Sequence, residues 1–186
     1  LKEMQRRGVN LNFLVYDVLP LTYPEWWPAG LAEGFASWFA VVSRVADRLI
    51  CISRAVRSEV AAQIELNPSN RTWTPKLGWF HLGADIKNTS PSVHLPRDAD
   101  DFFGQIDNQI TFLMVGTVEP RKGHALVLDA FSQLWRDGYD FNLVVIGKKG
   151  WLVDDLADRM SACSKNGSRF YWFQGASDEF LERAYV

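Results

Sequence analysis

Short apolar runs alternate along this chain with longer stretches in which apolar residues return at three- and four-residue steps. The first texture suits buried strands and the second amphipathic helices. Residues 1–7 read as the end of a helix stopped by Gly8, and Phe13-Leu14-Val15-Tyr16 as a buried strand closing at Asp17. Residues 19–24 read as a loop, because Pro20 and Pro24 within five residues forbid a helix or a central strand; Trp26, Trp27 and Pro28 extend it. Leu31, Phe35, Trp38, Phe39, Val42 and Val45 predict a helix, followed by a strand at 47–52. Ser53 then caps a helix carrying Val56, Val60, Ala61 and Ile64 and ending at Asn67-Pro68. A strand at 77–82 closes at Gly83-Ala84-Asp85.

Residues 89–108 lose this texture and read as a linker, with two prolines, several acids and no clean period. A second series follows. Residues 110–115 form a nearly unbroken apolar run, the mark of a strand covered on both faces of a parallel sheet. Gly116 to Gly123 is a loop. Leu126, Val127, Ala130, Phe131 and Leu134 predict a helix stopped at Gly138. A strand at 141–146, a helix at 152–163, a strand at 170–173 and a helix capped by Ser177 complete the pattern. Strands alternating with helices predict a parallel α/β sheet. Two such series predict two Rossmann-like lobes, at 1–88 and 109–186, and each holds fewer strands than the usual five or six.

Composition narrows the class. With 47% hydrophobic and 23% charged residues, the chain has the mixture of a globular protein with a buried core. A net charge of −2 argues against a nucleic-acid partner. No apolar run reaches the roughly 18 residues of a membrane span; residues 31–45 come closest, interrupted by Glu33, Ser37, Ser43 and Arg44. Cys51 and Cys163 lack metal-ligand spacing and fit a reducing compartment. The sequons at Asn70, Asn88 and Asn166 read as chance matches.

The chemistry concentrates in Phe112-Leu-Met-Val-Gly-Thr-Val-Glu-Pro-Arg-Lys-Gly123. A strand runs into Gly116, a short loop brings Arg121 and Lys122, and a helix begins. Backbone N–H groups and the positive helix terminus favour an anion there. Arg121 can grip a phosphate bidentately and Lys122 adds a point charge. The carboxyl end of a strand is also where open α/β sheets bind ligands. A solvated basic turn would look the same in sequence. The loop matches neither a Walker A motif nor G-x-G-x-x-G, which disfavours ordinary ATP and NAD sites.

Five stretches in order carry a resemblance to the GT-B retaining glycosyltransferases, the glycosyltransferase group 1 or family 4 enzymes that include many bacterial mannosyltransferases. Residues 16–25, Tyr-Asp-Val-Leu-Pro-Leu-Thr-Tyr-Pro-Glu, resemble the family's acceptor-side loop. Residues 46–53, Ala-Asp-Arg-Leu-Ile-Cys-Ile-Ser, resemble its A-D-x-x-I-x-x-S strand and cap, and Leu82-Gly83-Ala84-Asp85 its x-G-x-D. The loop at 116–123 resembles its donor-phosphate loop, and residues 173–178 the stretch before its donor-sugar segment.

The resemblance implies two Rossmann-like lobes facing a cleft, with the acceptor on the first and the nucleotide sugar on the second. It implies that Gly116, Thr117, Arg121 and Lys122 bind the donor diphosphate, and that Gly147, Lys148, Gly175 and Ala176 lie against the nucleotide. It makes Asp17 a catalytic candidate that touches the acceptor hydroxyl or helps deprotonate it; a carboxylate that bonds its own turn is the competing reading. Trp26 and Trp27 are candidates for stacking on a sugar or a lipid-linked acceptor, with core or interface packing the favoured reading; His81 and His124 read as structural, and His124, close to the phosphate loop, is also a candidate for a donor contact. Thr117 stands where many relatives carry an arginine. The activity implied is hexose transfer, mannose included, from a nucleotide diphosphate sugar to a polysaccharide or lipid-linked acceptor. No metal or resident cofactor is expected, and the location implied is cytoplasmic, with peripheral contact at the inner membrane left open. The family's E-x7-E pair would fall beyond Val186; Glu25 and Glu33 have that spacing in the wrong lobe. The missing pair keeps a non-catalytic nucleotide- or partner-binding fragment as an alternative, with a sugar-nucleotide epimerase of the same fold as another. Sheets lacking strands would expose apolar edges, which predicts self-association or a covering partner.

Overall fold

The computed structural model describes residues 1–67, 74–83, 91–165 and 169–186. Ala84 and Asp85 of the x-G-x-D stretch, Pro68, and the sequon residues Asn70, Asn88 and Asn166 lie outside the described residues. The chain divides into two compact units, Leu1–Ile86 and Lys87–Val186.

The first unit runs α1 (Lys2–Arg6), β1 (Asn12–Val15), α2 (Leu19–Thr22), a 3-10 turn (Pro24–Trp26), α3 (Leu31–Val45), β2 (Arg48–Cys51), α4 (Arg54–Leu66) and β3 (Lys76–Trp79). Its strands form a parallel sheet in the order β1-β2-β3, with Phe13, Leu49 and Leu77 in register. One face of that sheet packs against α3 and α4. Val15, Leu49 and Cys51 meet Phe39, Val42 and Val60 in a single buried cluster. Leu14, on the alternate face, remains exposed. The spacing of Phe39, Val42 and Val45 buries one stripe of α3, while Leu31 and Trp38 of the same period stay exposed. Ser53 caps α4, its Oγ accepting the Val56 N–H at 3.1 Å. The A-D-x-x-I-x-x-S stretch is therefore structural at each polar position. Asp47 Oδ2 accepts the Leu11 N–H at 2.6 Å, its own N–H donates to Leu11 O at 2.8 Å, and this pair ties the start of β2 to the start of β1.

The proline-rich stretch is not a simple loop. Pro20 sits in the first turn of α2 and Pro24 opens the 3-10 turn. The first turn of a helix has no intrahelical use for the N–H that proline lacks, so the exclusion of helix there was too broad.

The second unit runs α5 (Ala99–Ile106), β4 (Thr111–Val115), a 3-10 turn (Pro120–Lys122), α6 (His124–Arg136), β5 (Asn142–Ile146), α7 (Asp154–Lys165), β6 (Phe170–Phe173) and α8 (Asp178–Ala184). The sheet is parallel, in the order β4-β5-β6, with helices on both faces. Leu128, Phe131 and Met160 of α6 and α7 pack on Leu143, Val145 and Phe170. Ala99, Phe102 and Phe180 of α5 and α8 pack on Val144 and Ile146 from the other side. Ser177 caps α8 by accepting the Phe180 N–H at 3.1 Å.

Two expectations are corrected here. The fully covered strand is β5, all five residues of which are buried; β4 is an edge strand with Phe112 and Val115 exposed. Apolar content alone does not separate centre from edge, because position in the sheet is set by topology. The stretch 89–108, read as a linker, contains α5, whose Ala99 and Phe102 belong to the core of the second unit. Among the described residues no helix is long and apolar enough to cross a membrane.

Candidate functional site

The carboxyl ends of β4, β5 and β6 carry most of the candidate residues, held together by backbone contacts. Beyond β4 the chain keeps pairing with the chain beyond β5. The Gly116 N–H donates to Ile146 O, the Val118 N–H to Lys148 O and the Gly150 N–H to Val118 O, each at 2.9 Å. This brings the two loops into direct contact. A Cβ on Gly147 would lie 1.9 Å from Gly116 O and 3.2 Å from Thr117 N, so only glycine fits. Gly147 also donates its N–H to Phe173 O at 2.8 Å, while its carbonyl accepts the Trp172 indole N–H at 2.9 Å. The Lys149 N–H reaches Gln174 Oε1 at 3.4 Å, so the turn holding Gly175 and Ala176 adjoins the Gly147-Lys148 turn. Gly175 is exposed, whereas Ala176 packs toward the α5–α8 core.

Gly116 and Gly123 both adopt positive φ, 143° and 75°. Gly123 ends the 3-10 turn and is also the N-cap of the thirteen-residue α6. The first-turn amides of α6 therefore point back toward the loop without intrahelical acceptors. Lys122 is exposed, and its Cε stands 4.0 Å from the position of a Gly116 Cβ, so its stem lies over that glycine. The Arg121 side chain is 31% exposed and pairs with Glu119 at 2.7 Å. Two cations, a helix N-terminus and glycine-lined backbone thus share one strand end, an arrangement that binds oxyanions.

Two buried polar residues adjoin this strand end, Glu119 in the loop, which sequence reading gave no role, and His124 at the start of α6. Glu119 is 2% exposed; one oxygen meets Arg121, and Oε2 has no hydrogen-bond partner among the described residues. An acid placed between Val118 and Pro120, two residues before an arginine, was the available signal. His124, read as structural, is 4% exposed, and neither ring nitrogen finds a partner among the described residues. Burial, reinforced by the Lys122 charge, pushes its pKa below the ordinary 6.5. The unfolded chain then takes up a proton near pH 6.5 that the folded chain refuses, so stability falls as pH drops below that value. Thermal melts from pH 7 to pH 5 should show this loss. The slope should flatten in His124→Phe; an unchanged slope would remove His124 as its source.

In the first unit, Asp17 follows β1, and its Oδ1 accepts the Leu19 N–H at 3.1 Å. It closes its own turn at the mouth of α2, as the competing reading held, and this bond engages one carboxylate oxygen. Tyr23 and Trp26 stack with centroids 4.2 Å apart, and Trp27 is half-buried. His81 is exposed and meets Trp79 edge-on.

A cavity of about 880 Å³ lies elsewhere in the second unit, lined by Phe102, Phe103, Thr111, Leu113 and Arg183. Its lining comes chiefly from α5, the first half of β4 and the end of α8, and includes none of the residues of the 116–123 loop. Among the described residues there is no group of three or more His, Cys, Asp or Glu placed to hold a metal ion.

Known proteins resemble this chain in sequence and in fold. The family model described as glycosyl transferases group 1 matches residues 96–186. Two serotype-specific mannosyltransferases WbdA of Escherichia coli are each 40% identical to 98% of this chain. The chain spans 23% of the length of each of them. The crystal structure of Anabaena HepE in complex with UDP and glucose aligns with a TM-score of 0.53 and 18% identity, over 92% of this chain and 44% of that one. That likeness is one of fold, α/β units with parallel sheets. Residues 96–186 thus carry the match to the glycosyl transferases group 1 family, and the 40% identity to proteins named mannosyltransferases runs along nearly the whole chain.

Proposed function

We propose that this chain is the donor-diphosphate-binding part of a retaining glycosyltransferase that moves a hexose, mannose, from a nucleotide diphosphate sugar to a polysaccharide or lipid-linked acceptor. The observation that carries the reading is the loop 116–123. It sets Arg121, Lys122 and the α6 N-terminus at a strand end whose backbone is fixed against Gly147. When the glycosidic bond of the donor breaks, negative charge builds on the departing diphosphate. Cations and backbone dipoles already aimed at that position stabilise it without reorganising. Arg121 and Lys122 supply that neutralisation, so no resident cofactor is invoked. Gly147, Lys148, Gly175 and Ala176 line the nucleotide side of the same strand ends. Asp17 serves the acceptor side in this reading, its second oxygen receiving the acceptor hydroxyl.

Mannose is favoured by the 40% identity to proteins named mannosyltransferases, and a nucleotide donor by the likeness to a structure holding UDP and glucose. The test is calorimetric titration of the chain with GDP-mannose, UDP-glucose, GDP and UDP. GDP-mannose and GDP should bind more tightly than UDP-glucose and UDP. A uridine preference would overturn the mannose assignment, and no binding by any of the four would overturn the donor-site reading.

A further inference from the structure

Glu119 is an expensive residue to place where it lies. Its side chain is 2% exposed, and a buried carboxylate is costly unless it is paired and hydrogen-bonded. An apolar side chain of similar volume would fill that space at lower cost. The surroundings of Glu119 are rigid. Val118 is bonded to the β5 loop on both sides, through the Lys148 carbonyl and the Gly150 N–H. A Cβ on Gly150 would stand 3.4 Å from Glu119 Cβ, so the root of the side chain is closely walled. The Glu119 carbonyl accepts the Lys122 N–H at 3.1 Å, which starts the 3-10 turn presenting Arg121 and Lys122. From that fixed root Oε1 reaches the Arg121 guanidinium at 2.7 Å.

We infer that Glu119 is a positioning residue, a buried carboxylate that holds the Arg121 guanidinium in place to receive the diphosphate of a nucleotide sugar. This rests on the donor-site reading above. A guanidinium carries five N–H donors in a fixed fork, more than the Glu119 carboxylate can engage. Fixing a long, rotamer-rich side chain before the ligand arrives removes an ordering cost from binding.

The test compares Glu119→Ala and Glu119→Gln, each alone and combined with Arg121→Ala, by titration with GDP, UDP and inorganic pyrophosphate. Glu119→Ala should weaken diphosphate binding about 10-fold, the scale of coupling between contacting residues. Glu119→Gln keeps an oxygen at the same reach and should restore most of the affinity. In the Arg121→Ala background, Glu119→Ala should cause no further loss. An equal loss with and without Arg121 would mean that Glu119 acts on the fold rather than through Arg121, and an unchanged affinity in Glu119→Ala would also overturn the inference.

A second readout needs no ligand. Phenylglyoxal modification of Arg121, followed by peptide mass mapping, should be several-fold faster in Glu119→Ala than in the unaltered chain. If no diphosphate binds even the unaltered chain, the donor-site reading fails. The phenylglyoxal rates then decide whether Glu119 holds Arg121, and equal rates would sink that as well.

Discussion

Gly147→Ala should unfold or badly loosen the second unit. The added methyl would stand 1.9 Å from Gly116 O and 2.5 Å from its carbonyl carbon. Both are backbone atoms, so no side chain can swing aside to make room. Relief requires parting the β4 and β5 loops, which breaks the Gly116-to-Ile146 and Val118-to-Lys148 hydrogen bonds. Overpacking ordinarily costs about 1–3 kcal/mol, and a backbone clash belongs at or above the top of that range. For a unit of this size, about 3 kcal/mol lowers Tm by roughly 15 °C. The comparison is Gly104→Ala in α5, where nothing lies within 4 Å of the new methyl. That change should leave Tm level or raise it, since alanine is the better helix residue. Equal melting of the two variants would show that the loops are not packed as described. Gly147 thus links fold and candidate site, because the close approach that demands glycine is what sets Gly116 and Thr117 beside the Gly147-Lys148 turn.

Arg121→Ala combined with Lys122→Ala should nearly abolish binding of nucleoside diphosphates and their sugars. Hydrogen bonds to charged groups contribute about 1.5–3 kcal/mol each, so removing both cations costs at least about 3 kcal/mol. Every 1.4 kcal/mol is tenfold in affinity, which makes the loss about 100-fold or more. Lys122 is exposed, Arg121 is partly exposed and paired with Glu119, and the α6 core is built from Leu128 and Phe131. Removing Arg121 leaves the buried Glu119 carboxylate without its cation, so the double variant should melt lower, and its binding is compared at a temperature where melting shows it folded. Arg121→Lys with Lys122 intact keeps the charge but not the bidentate fork, and should fall between the two. Affinity retained in the double variant would mean that the diphosphate lies elsewhere.

The alternation of strands and helices was legible because period-two and period-3.6 patterns stand out wherever one face is buried. Ser53 and Ser177 also announced their caps, since a hydroxyl ahead of an apolar period serves the orphan amides of a helix start. Helix α5 was hidden by its charge. Ala99, Phe102, Phe103 and Ile106 follow the helical steps, but Asp98, Asp100, Asp101 and Asp107 surround them and gave the stretch the look of a linker. The relative burial of β4 and β5 depends on which strand lies between the others, which local composition does not carry. Within the site, Gly116, Arg121 and Lys122 could be found from their positions between a strand and a helix. Glu119 could not be weighed in the same way, because its burial and its reach to Arg121 depend on the close packing of Gly150 and Val118.

The most direct test is amide chemical-shift mapping of the isotope-labelled chain during titration with GDP. The account predicts the largest shifts at Gly116, Thr117 and residues 121–125, with a second group at Gly147 and Lys148. Shifts centred on Phe103, Thr111 and Arg183 around the large cavity, with the 116–123 loop unmoved, would contradict it.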